Sequence, residues 1–246
     1  MQTQPSWLTG YFRRKGQMLA VMCAVLVCWA AAAALPGDTA AVSGETAPLA
    51  GLTVLVDAGH GGYDGGARGA SGVWEKEINL RMARHVEEAL TAMGARVVMT
   101  RTEDVDLTSE PRPADLTKKR QDMIARVELA KANEVDLVLS IHMNYYRDRS
   151  QSGPQVFYRA GCDGGRLLAG CMQESLIERL QPKKQRSALA GDYFILQLDV
   201  PSVLIECGFL SNPAEEKKLL DDGYQAQTAQ AIADGVATYM NLPCIP

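Results

Sequence analysis

Four ionisable side chains stand where hydrolytic chemistry could use them: His60, Glu75, His142 and Glu206. His60 lies in VLVDAGHGGYDGGARG, residues 54–69, where apolar β-formers end at Asp57 and five glycines follow within ten positions. A phosphate loop also places glycines after a first strand, so that backbone N–H groups can approach phosphate. The spacing fails here. A third glycine is needed at position 64, which is Asp64, and a Walker lysine at position 67, which is Ala67. The other reading is that the glycines turn the backbone sharply and leave the imidazole of His60 open to a ligand.

His142 closes the strand-like VDLVLSIH, Glu206 lies inside the apolar VLIECG, and Glu75 opens a helical segment. Two histidines and a carboxylate form one of the standard catalytic zinc sets, with a fourth position left for water. A second carboxylate outside that set suits a general base. The residues therefore point to His60, Glu75 and His142 as zinc ligands. Glu206 takes the proton of the attacking water and passes it to the leaving amine. Taken singly, each has a plainer explanation. A histidine in a turn is often structural, and Glu75 at a helix start is favoured by the macrodipole. Glu206 is the exception, because a carboxylate among apolar neighbours is costly to bury unpaired. The third histidine, His85, falls mid-helix and reads as a solvated or packed helix residue.

The elements that position these groups alternate along the chain. LTVLVDA, ARVVMT, VDLVLSIH, GPQVFYRA and SVLIECG read as strands. Residues 75–94 carry a helical stripe at 78, 80, 82, 83, 86, 90 and 93, closed by Gly94. Further helices are expected over 116–133, 162–180 and 224–240. Strands apolar on both faces imply a largely parallel sheet covered on both sides. The expected fold is a single α/β domain over residues 51–243, a mostly parallel twisted sheet of about six strands with helices on both faces. In such sheets ligands bind beyond the carboxyl ends of the strands, where the four groups fall.

The N-terminus is different. Arg13, Arg14 and Lys15 precede an uncharged apolar run, residues 18–35. Residues 1–35 therefore read as a signal peptide or a membrane anchor, with the remainder sent out of the cytoplasm. Residues 36–50, small and polar with two prolines, read as a linker. Beyond residue 35 the chain carries 22 basic and 29 acidic side chains, a net charge of −7. That balance does not suit binding a nucleic-acid backbone. Cys162, Cys171, Cys207 and Cys244 lie outside the apolar run and form no C-x-x-C pair. A Cys162–Cys171 disulfide stays open at this point.

VLVDAGHGGYDGGARG, WEKEINL, VVMTR, LSIHMN and PSVLIECGFLSNPAEE, in this order, resemble the zinc-dependent N-acetylmuramoyl-L-alanine amidases of the bacterial cell wall. The resemblance covers about residues 52–240. It implies zinc held by His60, Glu75 and His142, with Glu206 as the catalytic carboxylate, and so agrees with the reading of the residues. The implied substrate is the amide between the lactyl group of N-acetylmuramic acid and L-alanine of the peptidoglycan stem. The stretch from Met99 to Ala130, with SGPQVFYRA, is similar to the germination-specific, sporulation subgroup. That similarity implies a role in forming muramic-δ-lactam in spore cortex.

The chain departs from the family pattern at Ala58, often proline, and at Tyr145, often a small residue. No insertion resembling an autoinhibitory helix stands between residues 142 and 206, which predicts an open site. Tyr145 and Tyr146 either line the cleft or pack on the surface. Asn144 either positions substrate or holds the loop. Arg101 and Arg120 either meet substrate carboxylates or form salt bridges. Asp57 either supports a ligand histidine or closes the turn. The alternatives for function are a zinc peptidase acting on free peptides, a general vegetative wall autolysin, and a wall-binding module. An accessory protein that completes the site would leave no mark in these residues.

Overall fold

A computed structural model describes residues 46–108 and 115–243. The segment read as signal or anchor lies outside the described residues, as do Cys244 and most of the expected linker. No helix among the described residues is long and apolar enough to cross a membrane. The compact unit begins at Thr46. Leu49 is only 2% exposed and its N–H donates to the Met93 carbonyl at 2.9 Å. The last residues of the expected linker are thus part of the domain.

Six strands form one sheet: β1 (Thr53–Ala58), β2 (Arg96–Met99), β3 (Leu137–Asn144), β4 (Gln155–Tyr158), β5 (Leu189–Ala190) and β6 (Ser202–Phe209). Their order is β2-β1-β3-β6-β4-β5. β2, β1, β3 and β6 are mutually parallel, while β4 runs antiparallel to β6. The helices are α1 (Glu75–Ala92), α2 (Lys118–Ala132), α3 (Asp163–Leu180), α4 (Pro213–Leu219) and α5 (Asp222–Met240). A short 3-10 turn spans Phe194–Leu196. The mostly parallel α/β sheet is as expected. Two-residue β5 is too short to show a period, and the sequence reading missed it. It also missed α4, although Asn212 caps that helix through Ala214 and Glu215 and a proline opens it.

Alternate residues of each strand face opposite sides. On one side Val54, Val56 and Ala58, then Leu139, Ile141 and Met143, then Val203, Ile205 and Cys207 join a large core. Ile78, Met82, Val86 and Leu90 of α1 close over it with α3 and α5. The other side holds a smaller cluster, in which Leu55, Val138 and Leu204 meet Val127 and Ala130 of α2 and the 3-10 turn. On this thinner side the strands turn polar toward their carboxyl ends.

Cys162 and Cys171 are free thiols, one at the N-cap of α3 and one within it. Cys162 caps α3, its sulfur accepting from the Gly165 N–H. At a rise of 1.5 Å per residue, nine helical residues separate the two by roughly 14 Å. That is far beyond disulfide reach, so no bridge joins them.

Candidate metal centre

β1 delivers the first residue. After Ala58 the chain turns through Gly59 into His60, which adopts a left-handed φ of 62°. Such a conformation is uncommon for a residue with a Cβ, and the surroundings hold it in place. Arg126 donates to the carbonyls of Ala58 and His60 at 3.1 and 2.7 Å. Arg101 donates to those of Ala58 and Gly59 at 2.9 and 3.0 Å. A Cβ on Gly59 would stand 2.3 Å from the His142 ring, so only glycine lets strand and ring approach this closely.

Glu75 begins α1 and is 4% exposed. Its Oε1 lies 3.2 Å from His60 Nε2 and 3.0 Å from His142 Nδ1. The same oxygen accepts from Met143 N–H at 3.2 Å and Asn79 Nδ2 at 3.3 Å, and Oε2 accepts from Ala67 N–H at 2.9 Å. Burial acts to raise the Glu75 pKa, but the hydrogen bonds and charges of the two histidines outweigh it and hold the carboxyl below its ordinary range. One donor atom from each of His60, Glu75 and His142 lies within 4.8 Å of the others. The rings stand edge to face, with centroids 5.0 Å apart.

The other nitrogen of His60 faces Asp64 Oδ2 at 3.1 Å. Burial works against protonation of His60, yet Asp64 and Glu75 together lift its pKa to about 9. Glu206 is the in-register neighbour of His142 across β3 and β6. Its Oε2 is shut off from solvent and has no hydrogen-bond partner. Burial raises its pKa to about 7; nearby His142 and His60 pull it down, and Glu75 pushes it up. His60, His142 and Glu206 line one cleft of about 320 Å³. Lys119, Met123, Tyr193 and Ile195 also line it.

The structure thus brings together all four residues singled out in the sequence. Asn144 ends β3, where its carbonyl accepts from Leu210 N–H at 2.7 Å, and it is not among the residues lining the cleft. Tyr145 and Tyr146 are 51% and 59% exposed and also lie outside the lining. Arg101 donates to the backbone carbonyls of Ala58, Gly59, Lys76 and Glu103. Arg120 stacks on Phe194, its guanidinium carbon 4.0 Å from the ring centre.

Arg126 escaped the sequence reading. It is 1% exposed and bonds Asp57 at 2.6 Å and Asp122 at 2.8 Å. Asp57 also accepts from Ser140 at 2.5 Å and Thr100 at 2.9 Å. It supports the histidine loop through Arg126 and makes no hydrogen bond to either histidine ring. The four-residue spacing of Asp122 and Arg126 on a helix was the available signal.

Two histidines, a buried glutamate among them and a second, unpartnered glutamate at the carboxyl rim of a parallel sheet define an α/β protein with a candidate metal centre of the kind that hydrolytic enzymes use. Comparison with known proteins gives the particular family. The N-acetylmuramoyl-L-alanine amidase family, Amidase_3, matches residues 54–238, and the chain belongs to it. It is 36% identical over 192 residues to the germination-specific N-acetylmuramoyl-L-alanine amidase of Bacillus subtilis, covering 78% of this chain and 81% of that protein. YqiI of Bacillus subtilis, itself uncharacterised, is 37% identical over 193 residues, covering 78% of this chain and 86% of YqiI. The CwlD amidase of Clostridioides difficile, solved in complex with the GerS lipoprotein, is 34% identical with a TM-score of 0.72. That match covers 76% of this chain and 98% of CwlD.

Proposed function

We propose that this chain hydrolyses the amide between the lactyl group of N-acetylmuramic acid and L-alanine of the peptidoglycan stem, with zinc held by His60, Glu75 and His142 and Glu206 as general base. The observation that carries the reading is the three convergent donors, two of which line one cleft with the buried, unpartnered Glu206 Oε2. The donor set suits zinc. Four ligands at about 2.1 Å in a tetrahedron stand about 3.4 Å apart, and Glu75 Oε1 lies 3.2 and 3.0 Å from the two ring nitrogens. A zinc ion there supplies a Lewis acid toward the scissile carbonyl and a water of lowered pKa.

The protein's own groups do the rest. Asp64 holds the far side of the His60 ring and fixes its orientation. Met143 N–H and Asn79 keep Glu75 aimed inward. Glu206, beside His142 and facing the cleft, accepts a proton from the attacking water. The same carboxyl then donates it to the nitrogen of L-alanine as the amide bond breaks.

The likeness to a germination-specific amidase and to CwlD supports a finer assignment to spore cortex, in muramic-δ-lactam formation and germination. Action on the wall is extracytoplasmic, with residues 1–35 as signal or anchor. The test is digestion of intact peptidoglycan by zinc-loaded protein and by Glu206→Gln, with products read by mass spectrometry. Free stems starting at L-alanine, from the wild type only, are expected. Cleavage of free peptides that carry no sugar would favour a peptidase instead. CwlD was solved with a lipoprotein, so an accessory protein is the first addition if stems stay attached.

A further inference from the structure

One wall of the cleft is the start of α2, where Thr117 caps the helix but the charges run against its dipole. Its first turn holds Lys118, Lys119 and Arg120 and no acidic residue, although the partial positive charge of a helix N-terminus favours carboxylates there. Lys118 pairs with Asp106 at 3.1 Å, and Arg120 stacks on Phe194. Lys119 is left facing the cleft, its side chain 68% exposed. Its ion contact is a loose 3.5 Å approach to Asp64, whose oxygens already engage His60 and the Gly66 N–H at 3.1 Å each. Arg126, the other cation of the lining, is saturated by Asp57, Asp122 and two carbonyls. Among the described residues, Lys119 is therefore the cation of this cleft with donors to offer. The buried, unpartnered Glu206 Oε2 in the same cleft marks it as the place where a ligand sits.

Resting on the amidase reading, we infer that Lys119 binds a free carboxylate on the stem residue that follows L-alanine, so that the acid form of that residue is preferred over its amide. The reach agrees. Asp64 Oδ2 stands between Lys119 and His60, 3.5 Å from Lys119 Nζ and 3.1 Å from His60 Nδ1, so the ammonium lies within roughly 7 Å of the outer nitrogen of the ring. Two residues of extended chain span roughly 7 Å. A carboxylate on the second stem residue therefore meets the ammonium while the scissile carbonyl lies beside His60. Met123, Tyr193 and Ile195 line the same cleft, and the charge of the ammonium strengthens a hydrogen bond to a carboxylate.

The zinc-loaded full chain is given two muramyl peptides that differ only in an acid or an amide at the second stem residue. A second pair moves that difference to the third residue. Wild type is expected to favour the second-residue acid by about tenfold in kcat/KM, the size of one charge-assisted hydrogen bond. Lys119→Ala brings the ratio near one, mainly through KM, and Lys119→Glu reverses it. The same order is expected in the Kd of the two compounds for Glu206→Gln protein. A ratio that Lys119→Ala leaves intact, or one that follows the third residue, overturns the inference and leaves the amidase reading standing. Failure of wild type to release either stem overturns the amidase reading and the inference with it.

Discussion

The two faces of the sheet carry the same strands and do different work. Toward α1, α3 and α5 every inward residue of β1, β3 and β6 is apolar and sealed, from Val54 to Cys207. Toward α2 the strands begin alike, with Leu55, Val138 and Leu204, and then change to Asp57, Ser140, His142 and Glu206. One face binds the domain together. The other is apolar only at its base and charged at its rim. Burial that stabilises the first face is what perturbs the groups on the second.

The largest expected effect separates the faces by chemistry. Glu206→Gln should lower stem release about a thousandfold, within the usual range for losing a general base. Arg126→Met comes next. It strands Asp57 and Asp122 and frees the His60 loop, at about 3–5 kcal/mol of stability; denaturant unfolding measures this. A smaller loss would mean that the polar network matters less than its burial suggests.

The third effect depends on pH. The Glu206 carboxyl has a folded pKa raised to about 7, so the folded state holds its proton more tightly than the unfolded chain. Stability is then lost as pH rises from the ordinary glutamate value through about 7. With a chelator present, Glu206→Gln should be more stable than wild type at pH 8, by about 3 kcal/mol at most, and similar at pH 4. Thermal melts at the two pH values decide it.

Adjacent residues sharpen the comparison further. Ile205→Ala, into the sealed core, should cost about 3 kcal/mol and leave KM unchanged in protein that stays folded. Leu204→Ala, on the cleft face, should cost about 2 kcal/mol and raise KM. The smallest effect, about twofold or less in kcat/KM, is expected for Asn144→Ala, because the contact Asn144 makes beside the site is through its backbone carbonyl.

The sheet, its four major helices and the convergence of His60, Glu75, His142 and Glu206 were legible because each rests on a local signal. Period 3.6, apolar runs and strand-end placement are all visible in a short window. Arg126 was not, because its partners Asp57, Ala58 and His60 lie more than sixty residues away, and its sequence neighbours look like any solvated helix. The antiparallel course of β4 was equally hidden, since strand direction depends on partners and not on composition. Lys119 was passed over for the same reason: one lysine in LTKKR shows nothing of the cleft it faces.

One consequence of the strand order concerns time. β6 lies between β3 and β4 yet is the last strand in the chain. A polypeptide made and delivered N-terminus first has His60, Glu75 and His142 in hand well before Glu206 emerges. Until then β3 lacks its inner neighbour and β4 has only two-residue β5 beside it. At that stage the nascent chain holds three of the four site residues and lacks the fourth. On the proposed mechanism, a wall-degrading activity of this design is complete only when synthesis is nearly finished.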